Sequence, residues 1–527
     1  MTFRRVGGPA IGRLLALVGA FALIATACGG PGPVPATPSP PSASGPSNGG
    51  PTAGSSGAAA ASPGTIQPAP VAPIAWSDCG DGFQCGSLIV PLDYSKPGGA
   101  SLRVSVIRLP ASDRSARIGS LVIEPGGPGE SGTDFARAAA KTLFSDEIRS
   151  HFDIVGFDPR GVNESSPIRC SDDLDHFLAM DQTPDTAKEL SALLDGEKAF
   201  VEGCQRRNAD VLAHVGTEDV VRDLDGLRQA LGDAKLDYLG FSYGTLIGAL
   251  YAQAYPDHIR SMVLDGAMDP SLDLAAIGAG QAAGFETDLR DFLAWCAKDA
   301  GCAFHHKGKP GPAFETLMRR IEAKPLSAAS IGSERLVGPT YAWEAVAGAM
   351  YDLSSWPLLA ISLAAAERGD GSDLLLLSDP LSGRKPDGGY SNLVDSNLAI
   401  TCLDFPAPRD PAPYEAEARA WARTAPHFGA LIAYGEIGCA YWPIAPLRRP
   451  APVSAPTAPP ILIVGSTRDP ATPYPWAVAL SHQLTSSVLL TRVGDGHTGY
   501  AASACVAAAA DAYLIGLTIP HDRTCPD

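Results

Sequence analysis

One short segment limits the folds open to this chain more than any other. Residues 236–241 form an apolar run of strand length, residues 245–255 read as a helix ended by Pro256, and Gly240-Phe241-Ser242-Tyr243-Gly244 stands between them. A serine at such a junction has to occupy a sharp, strained turn, and the two glycines leave room for it. The same G-x-S-x-G pattern recurs at Gly45-Pro46-Ser47-Asn48-Gly49, in a stretch with no strand or helix signal, where it has no chemical meaning. Context separates the two matches.

The strand-then-helix alternation extends on both sides of this turn. Strands are expected at 87–94, 102–109, 119–124 and 153–157, with later ones at 261–265, 460–464 and 487–493. Val220, Leu224, Leu227 and Leu231 place one apolar face on a helix that Thr217 can cap. Further helices are expected at 475–484 and 501–514. Apolar strands alternating with helices imply an α/β fold, with a mostly parallel sheet covered on both faces. Between 268 and 455 the alternation stops. That stretch is helix-rich and interrupted by prolines, and it holds Trp295, Trp343, Trp356, Trp421 and Trp442. It reads as a helical cap inserted between two parts of the core, 76–267 and 456–527.

The N-terminal region reads as export machinery. Arg4 and Arg5 precede an apolar run from Leu14 to Ala27, which is too short to span a bilayer and fits a signal-peptide core. Small residues then lead to Cys28, as in a bacterial lipoprotein signal, so residues 1–27 are expected to be removed and Cys28 to carry lipid. Residues 29–75 have neither charge nor aromatic side chain. They cannot bury enough apolar surface to offset their ordering entropy, so 28–75 is expected to be a disordered tether. The expected location is the outer face of the cell membrane, with the membrane contacted through the N-terminal lipid.

The chain has 11 cysteines, which leaves an even ten after Cys28. Their spacing does not suit zinc, and no His lies at ligand distance along the chain. No metal and no cofactor are expected. Five disulfides suit an exported protein. Pairing neighbours gives Cys79–Cys85, Cys170–Cys204, Cys296–Cys302, Cys402–Cys439 and Cys505–Cys525, although spacing alone does not fix connectivity. A net charge of −17, without a basic run longer than two residues, argues against nucleic acid as a partner.

A serine hydroxyl attacks only when a base takes its proton, and that base is a His oriented by a carboxylate. In this architecture the chain order is Ser, Asp, His. After Ser242, Asp469 follows one expected strand end and His497 the next. Asp495 is an alternative acid, but as a neighbour of His497 in one loop it is poorly placed to orient the ring. The oxyanion that forms needs donors. The N–H of Tyr243 supplies one, and Gly127, in Gly126-Gly127-Pro128-Gly129, is expected to supply the second.

Together, G-G-P-G-E-S-G (126–132), Asp158-Pro-Arg-Gly, G-F-S-Y-G-T, Asp469-Pro-Ala-Thr-Pro and Gly496-His497 resemble the actinobacterial tripeptidyl aminopeptidase family of α/β-hydrolases. Mycobacterial lipoprotein members of that family, some called carboxylesterases, share the signal and tether. The G-G-P-G loop is similar to that of proline iminopeptidases, except that Glu124 stands before Pro125 where their signature begins with His. The resemblance covers 76–527. It implies a Ser242–His497–Asp469 site under a cap and removal of short peptides from free N-termini. An esterase acting on acyl esters would use the same three residues. An exopeptidase must also bind an α-ammonium group. Glu130 and then Asp404 are the candidate carboxylates, each of which could instead be a structural ion pair. Asp158 and Arg160 are expected to brace their turn.

Overall fold

In the computed structural model, residues 71–521 and 523–526 are described. The expected signal, Cys28 and tether up to residue 70 lie outside them. The strands run β1 (Ser77–Asp78), β2 (Gln84–Pro91), β3 (Ser101–Leu109), β4 (Gly119–Glu124), β5 (Phe152–Phe157), β6 (Leu236–Phe241), β7 (Ile259–Asp265), β8 (Leu326–Ser327), β9 (Leu336–Val337), β10 (Leu462–Arg468), β11 (Val488–Asp495) and β12 (Thr524–Pro526). Ten of them form one sheet in the order β1-β2-β3-β5-β4-β6-β7-β10-β11-β12, and β8 and β9 make a separate ladder. From β5 to β12 all pairs are parallel; the β1–β2, β2–β3 and β3–β5 pairs are antiparallel.

Every residue of β4, β5 and β6 is buried, as expected for strands with helices on both faces. On one face Leu121, Ile123, Ile154, Leu239, Val263 and Val464 pack with Ala136 and Ala140, and with Val506, Ala510 and Leu514 of the last helix. The other face carries the Thr217–Leu231, Tyr243–Ala254 and Tyr474–Gln483 helices. β12 was not foreseen. The terminal segment becomes an edge strand beside β11, with Cys525 bonded to Cys505 of the last helix. The other four neighbour pairs are disulfides as well.

Between β7 and β10 the chain is helical apart from β8–β9. A second excursion joins it. The Ala187–Arg207 helix, placed with the core by the sequence reading, contributes Leu193 to an apolar cluster with Tyr414, Ala418, Tyr434 and Ile437. Cys170–Cys204 closes this excursion, and Phe177 stacks on Phe200 at 4.1 Å. The roof over the sheet is therefore built from two separate parts of the chain.

The Asp158-Pro-Arg-Gly turn is a scaffold. Asp158 accepts from the Ser131 hydroxyl (2.6 Å), the Thr133 N–H (3.1 Å) and the Asn163 amide (3.2 Å). Arg160 is fully buried, donates twice to Asp223 at 2.7 Å, and also donates to the carbonyls of Pro91, Leu92 and His214. It ties β2, the turn and the Thr217–Leu231 helix together. Arg160→Met is expected to lower unfolding free energy by about 3–5 kcal/mol, because Asp223 is left buried without its counter-charge. Denaturant unfolding measures this; a loss below about 1 kcal/mol would show that the pair does not carry the scaffold.

Candidate active site

β4 and β6 are adjacent, with Glu124 opposite Gly240, and here the strand order reverses. Open α/β sheets bind ligands at that point, beyond the strands' carboxyl ends. The G-G-P-G loop leaves β4 and the serine turn leaves β6, so the sheet sets them side by side. Ser242 has φ 53° and ψ −123°, a conformation that costs energy for any side chain but glycine. The turn is held from both sides. Ser242 N–H donates to the Asp265 carbonyl (2.9 Å), and the Ser242 carbonyl accepts from the Thr245 hydroxyl (2.6 Å).

Two glycines make this packing possible. A Cβ at Gly244 would fall 2.7 Å from the Glu124 carbonyl oxygen. Gly126 has φ +107°, and a Cβ there would fall 2.8 Å from the Tyr243 nitrogen. The loop backbone thus lies directly against the N–H expected to serve the oxyanion. Gly126 N–H is directed to the Glu124 carboxyl, which is wholly buried and held well above the usual carboxylate range by desolvation. Gly127 lines the cavity beside Ser242. Glu124, the departure from the iminopeptidase signature, therefore supports the loop from beneath.

Asp469 and His497 meet as the sequence predicts. His497 Nδ1 lies 2.9 and 3.0 Å from the two Asp469 oxygens. Asp469 also accepts from the N–H groups of Ala471 (3.0 Å), Thr472 (2.8 Å) and Thr498 (3.3 Å), and from the Thr472 hydroxyl (3.1 Å). With Asp469 as acceptor, Nδ1 carries the proton and Nε2 is left as the basic nitrogen. Nε2 has no hydrogen-bond partner among the described residues, and His497 and Ser242 line the same cavity. Asp495 is engaged elsewhere: Arg468 donates to both of its oxygens. Of the two carboxylates, Asp469 is the one bonded to the imidazole.

The cavity of ≈ 960 Å³ lies between the sheet's carboxyl edge and the cap. Glu130 lines it, surrounded by protein yet open to the cavity, and desolvation raises its carboxyl pKa. Asp404 does not reach it. Its side chain is completely buried; it accepts from Thr217 N–H (3.0 Å) and from the Tyr243 hydroxyl, and burial raises its pKa. The second candidate for the α-ammonium is thus a brace. It caps the Thr217–Leu231 helix, whose N-cap is Gly216 and not Thr217, and it fixes the residue next to the nucleophile.

Two functional groups escaped the sequence reading. Asp265, at the end of β7, accepts from Gly499 N–H (2.8 Å) and Tyr500 N–H (2.7 Å) and shapes the loop that carries His497. Desolvation lifts its carboxyl to about 6. Its strand-end position was the available signal. Tyr351, from the cap, accepts the His497 N–H at its carbonyl (2.9 Å) and sets its ring edge-on to the imidazole at 5.3 Å. No motif announces it.

Burial pulls the His497 pKa down, but the Asp469 charge and hydrogen bond, with Asp265 and Glu130, more than compensate and hold it above its ordinary 6.5. A base works only when neutral, so kcat/KM is expected to fall as pH drops through this raised pKa. Asp469→Asn should cut kcat by about 10⁴-fold by favouring the wrong tautomer, and should move the residual acid limb to lower pH. Rate profiles on a peptide anilide between about pH 5 and 9 test both; an unmoved limb would exclude His497 as the titrating base.

Sequence comparisons agree with this fold. The family model described as "alpha/beta hydrolase fold" matches residues 119–308, and that described as "TAP-like protein" matches 425–525. The chain is 38% identical over 473 residues to "Serine protease Hip1" of Mycobacterium tuberculosis (strain ATCC 25618 / H37Rv), covering 85% of this chain and 90% of the relative. It is 34% identical over 477 residues to "Tripeptidyl aminopeptidase" of Streptomyces lividans, covering 86% and 87%. It is also 34% identical over 452 residues to "Carboxylesterase B" of the same M. tuberculosis strain, covering 83% and 85%. The chain belongs to the tripeptidyl aminopeptidase-like family of serine hydrolases, with the α/β-hydrolase fold.

Proposed function

We propose that this protein is an exported, lipid-anchored serine aminopeptidase that releases short peptides, of the tripeptidyl type, from free N-termini. The observation that carries this reading is the acidic cavity around the Ser–His pair. Glu130, Glu197 and Glu344 all line the chamber that Ser242 and His497 open onto. Desolvation pushes Glu197 and Glu344 up to about 8, with Glu436 adding to the first and Asp379 to the second. A cationic chain end supplies the charge that such carboxyls lack, and charge-assisted hydrogen bonds to an ammonium are strong in a water-poor site. The volume, ≈ 960 Å³, is at the upper end for small-ligand sites and suits a short peptide.

The chemistry we propose is acyl transfer. Ser242 Oγ attacks the scissile carbonyl carbon as His497 Nε2 takes its proton. Asp469, with Asp265 and Glu130 behind it, stabilises the imidazolium. The carbonyl oxygen becomes an oxyanion held by the N–H groups of Tyr243 and Gly127, each such donor contributing about 3–4 kcal/mol to the lowered barrier. The intermediate collapses as the imidazolium protonates the leaving amine, leaving an acyl-enzyme on Ser242. Water, deprotonated by His497, attacks the ester and frees the peptide. Glu130, near the nucleophile, holds the substrate ammonium directly or adds to the field that attracts it.

A carboxylesterase reading has its own support: Phe135, Leu143, Phe177, Phe200 and Phe241 line the cavity and would receive an acyl chain. Paired substrates separate the two. Peptide anilides with free N-termini should turn over faster than their N-acetylated forms; equal rates, or turnover of short acyl esters only, would establish the esterase. Ser242→Ala should abolish labelling by a fluorophosphonate. Glu130→Gln should reduce kcat/KM about 10- to 100-fold for free N-termini and much less for acetylated ones, from the loss of a charged hydrogen bond. Anchoring through Cys28 predicts that Cys28→Ala releases the protein into the medium, and retention at the membrane would overturn that part.

A further inference from the structure

Beside the cavity, which Asp495 also lines, three carboxylates converge where the cap meets the catalytic loops. Asp288 and Asp291 stand one turn apart on the Leu274–Lys298 helix, and Asp495 ends β11, two residues before His497. An oxygen from each lies within 4.8 Å of an oxygen from the other two. Two oxygens bound to one calcium ion at about 2.4 Å are at most about 4.8 Å apart, so the spacing fits one shared ion.

Acidic clusters are common, and this one needs a second feature to count as a site. That feature is Asp288. Its residue is 1% exposed, and its Oδ2 is buried without a hydrogen-bond partner among the described residues. A buried carboxylate oxygen with nothing to accept from costs free energy, and here it belongs to a group directed at two further carboxylates. Basic neighbours only partly offset the charge. Arg468 donates to both Asp495 oxygens and reaches Asp291 at 3.6 Å. Lys298 and Asp299 line the adjoining groove with Trp295 and Trp356. Against three carboxylates, Arg468 leaves an excess of negative charge at their centre.

We propose that Asp288, Asp291 and Asp495 form a calcium-binding site that fastens the cap helix to the loop carrying the catalytic histidine. All ligands are hard oxygens, which suits calcium. Asp291 is half exposed, which leaves room for the waters that complete a coordination of about six to eight oxygens. Magnesium, which demands near-ideal octahedral geometry and dehydrates reluctantly, should bind more weakly.

The test uses purified full-length protein. Terbium(III) is the probe, excited through tryptophan, because Trp295 lines the groove beside Asp291 and Asp495. Saturable terbium luminescence displaced by calcium is expected. So is a rise in unfolding midpoint of about 3 °C at a hundredfold excess of calcium over its Kd. Asp291→Asn, at a half-exposed position, should fold normally and lose both responses. Asp288→Asn, which removes one ligand carboxylate at a buried position, should also lose the calcium-dependent rise. Absence of any shift in the wild type at 10 mM calcium would overturn the proposal, as would a shift of equal size in Asp291→Asn.

Discussion

The site depends on how closely three stretches of backbone approach one another. The end of β4, the loop at Gly126 and the turn at Ser242 come within distances that no Cβ tolerates. That contact fixes Ser242 in a disfavoured conformation and lays the loop against the Tyr243 N–H. Pairing of β4 with β6 and burial of both strands stabilise the contact. The strain at Ser242 is thus a local cost carried by the stability of the whole sheet.

The negative charge gathered round the histidine is the second organising feature. Asp469 touches the ring, Asp265 shapes its loop, and Glu130, in the same cavity lining, adds its charge. All three favour imidazolium, the form that the proposed mechanism creates when Ser242 loses its proton. Burial opposes them by disfavouring the charged ring. The balance keeps the base strong while excluding the water that would weaken its interactions.

Features carried by local patterns were legible in the sequence. Runs of apolar residues located β4 and β6, Gly-rich turns located the loop and the elbow, and strand ends located Asp469 and His497. Neighbour pairing of the cysteines matched because each disulfide closes a local excursion. What escaped depends on contacts between distant segments. Asp404 was open to two readings, an ammonium-binding carboxylate or a structural ion pair; it caps a helix whose first residue lies 187 positions away. The Ala187–Arg207 helix has the amphipathic pattern of a core helix, and nothing in that pattern says that its apolar side meets Tyr414 and Ile437. Tyr351 acts through its carbonyl, which any residue could supply, so its identity carried no signal.

That carbonyl ties two parts of the molecule together. It holds the backbone N–H of His497, so the loop that carries the imidazole is anchored in the roof as well as in the sheet. The position of the ring is therefore set jointly by the cap and by Asp469, and a change in the cap at Tyr351 would be felt at the imidazole through the backbone.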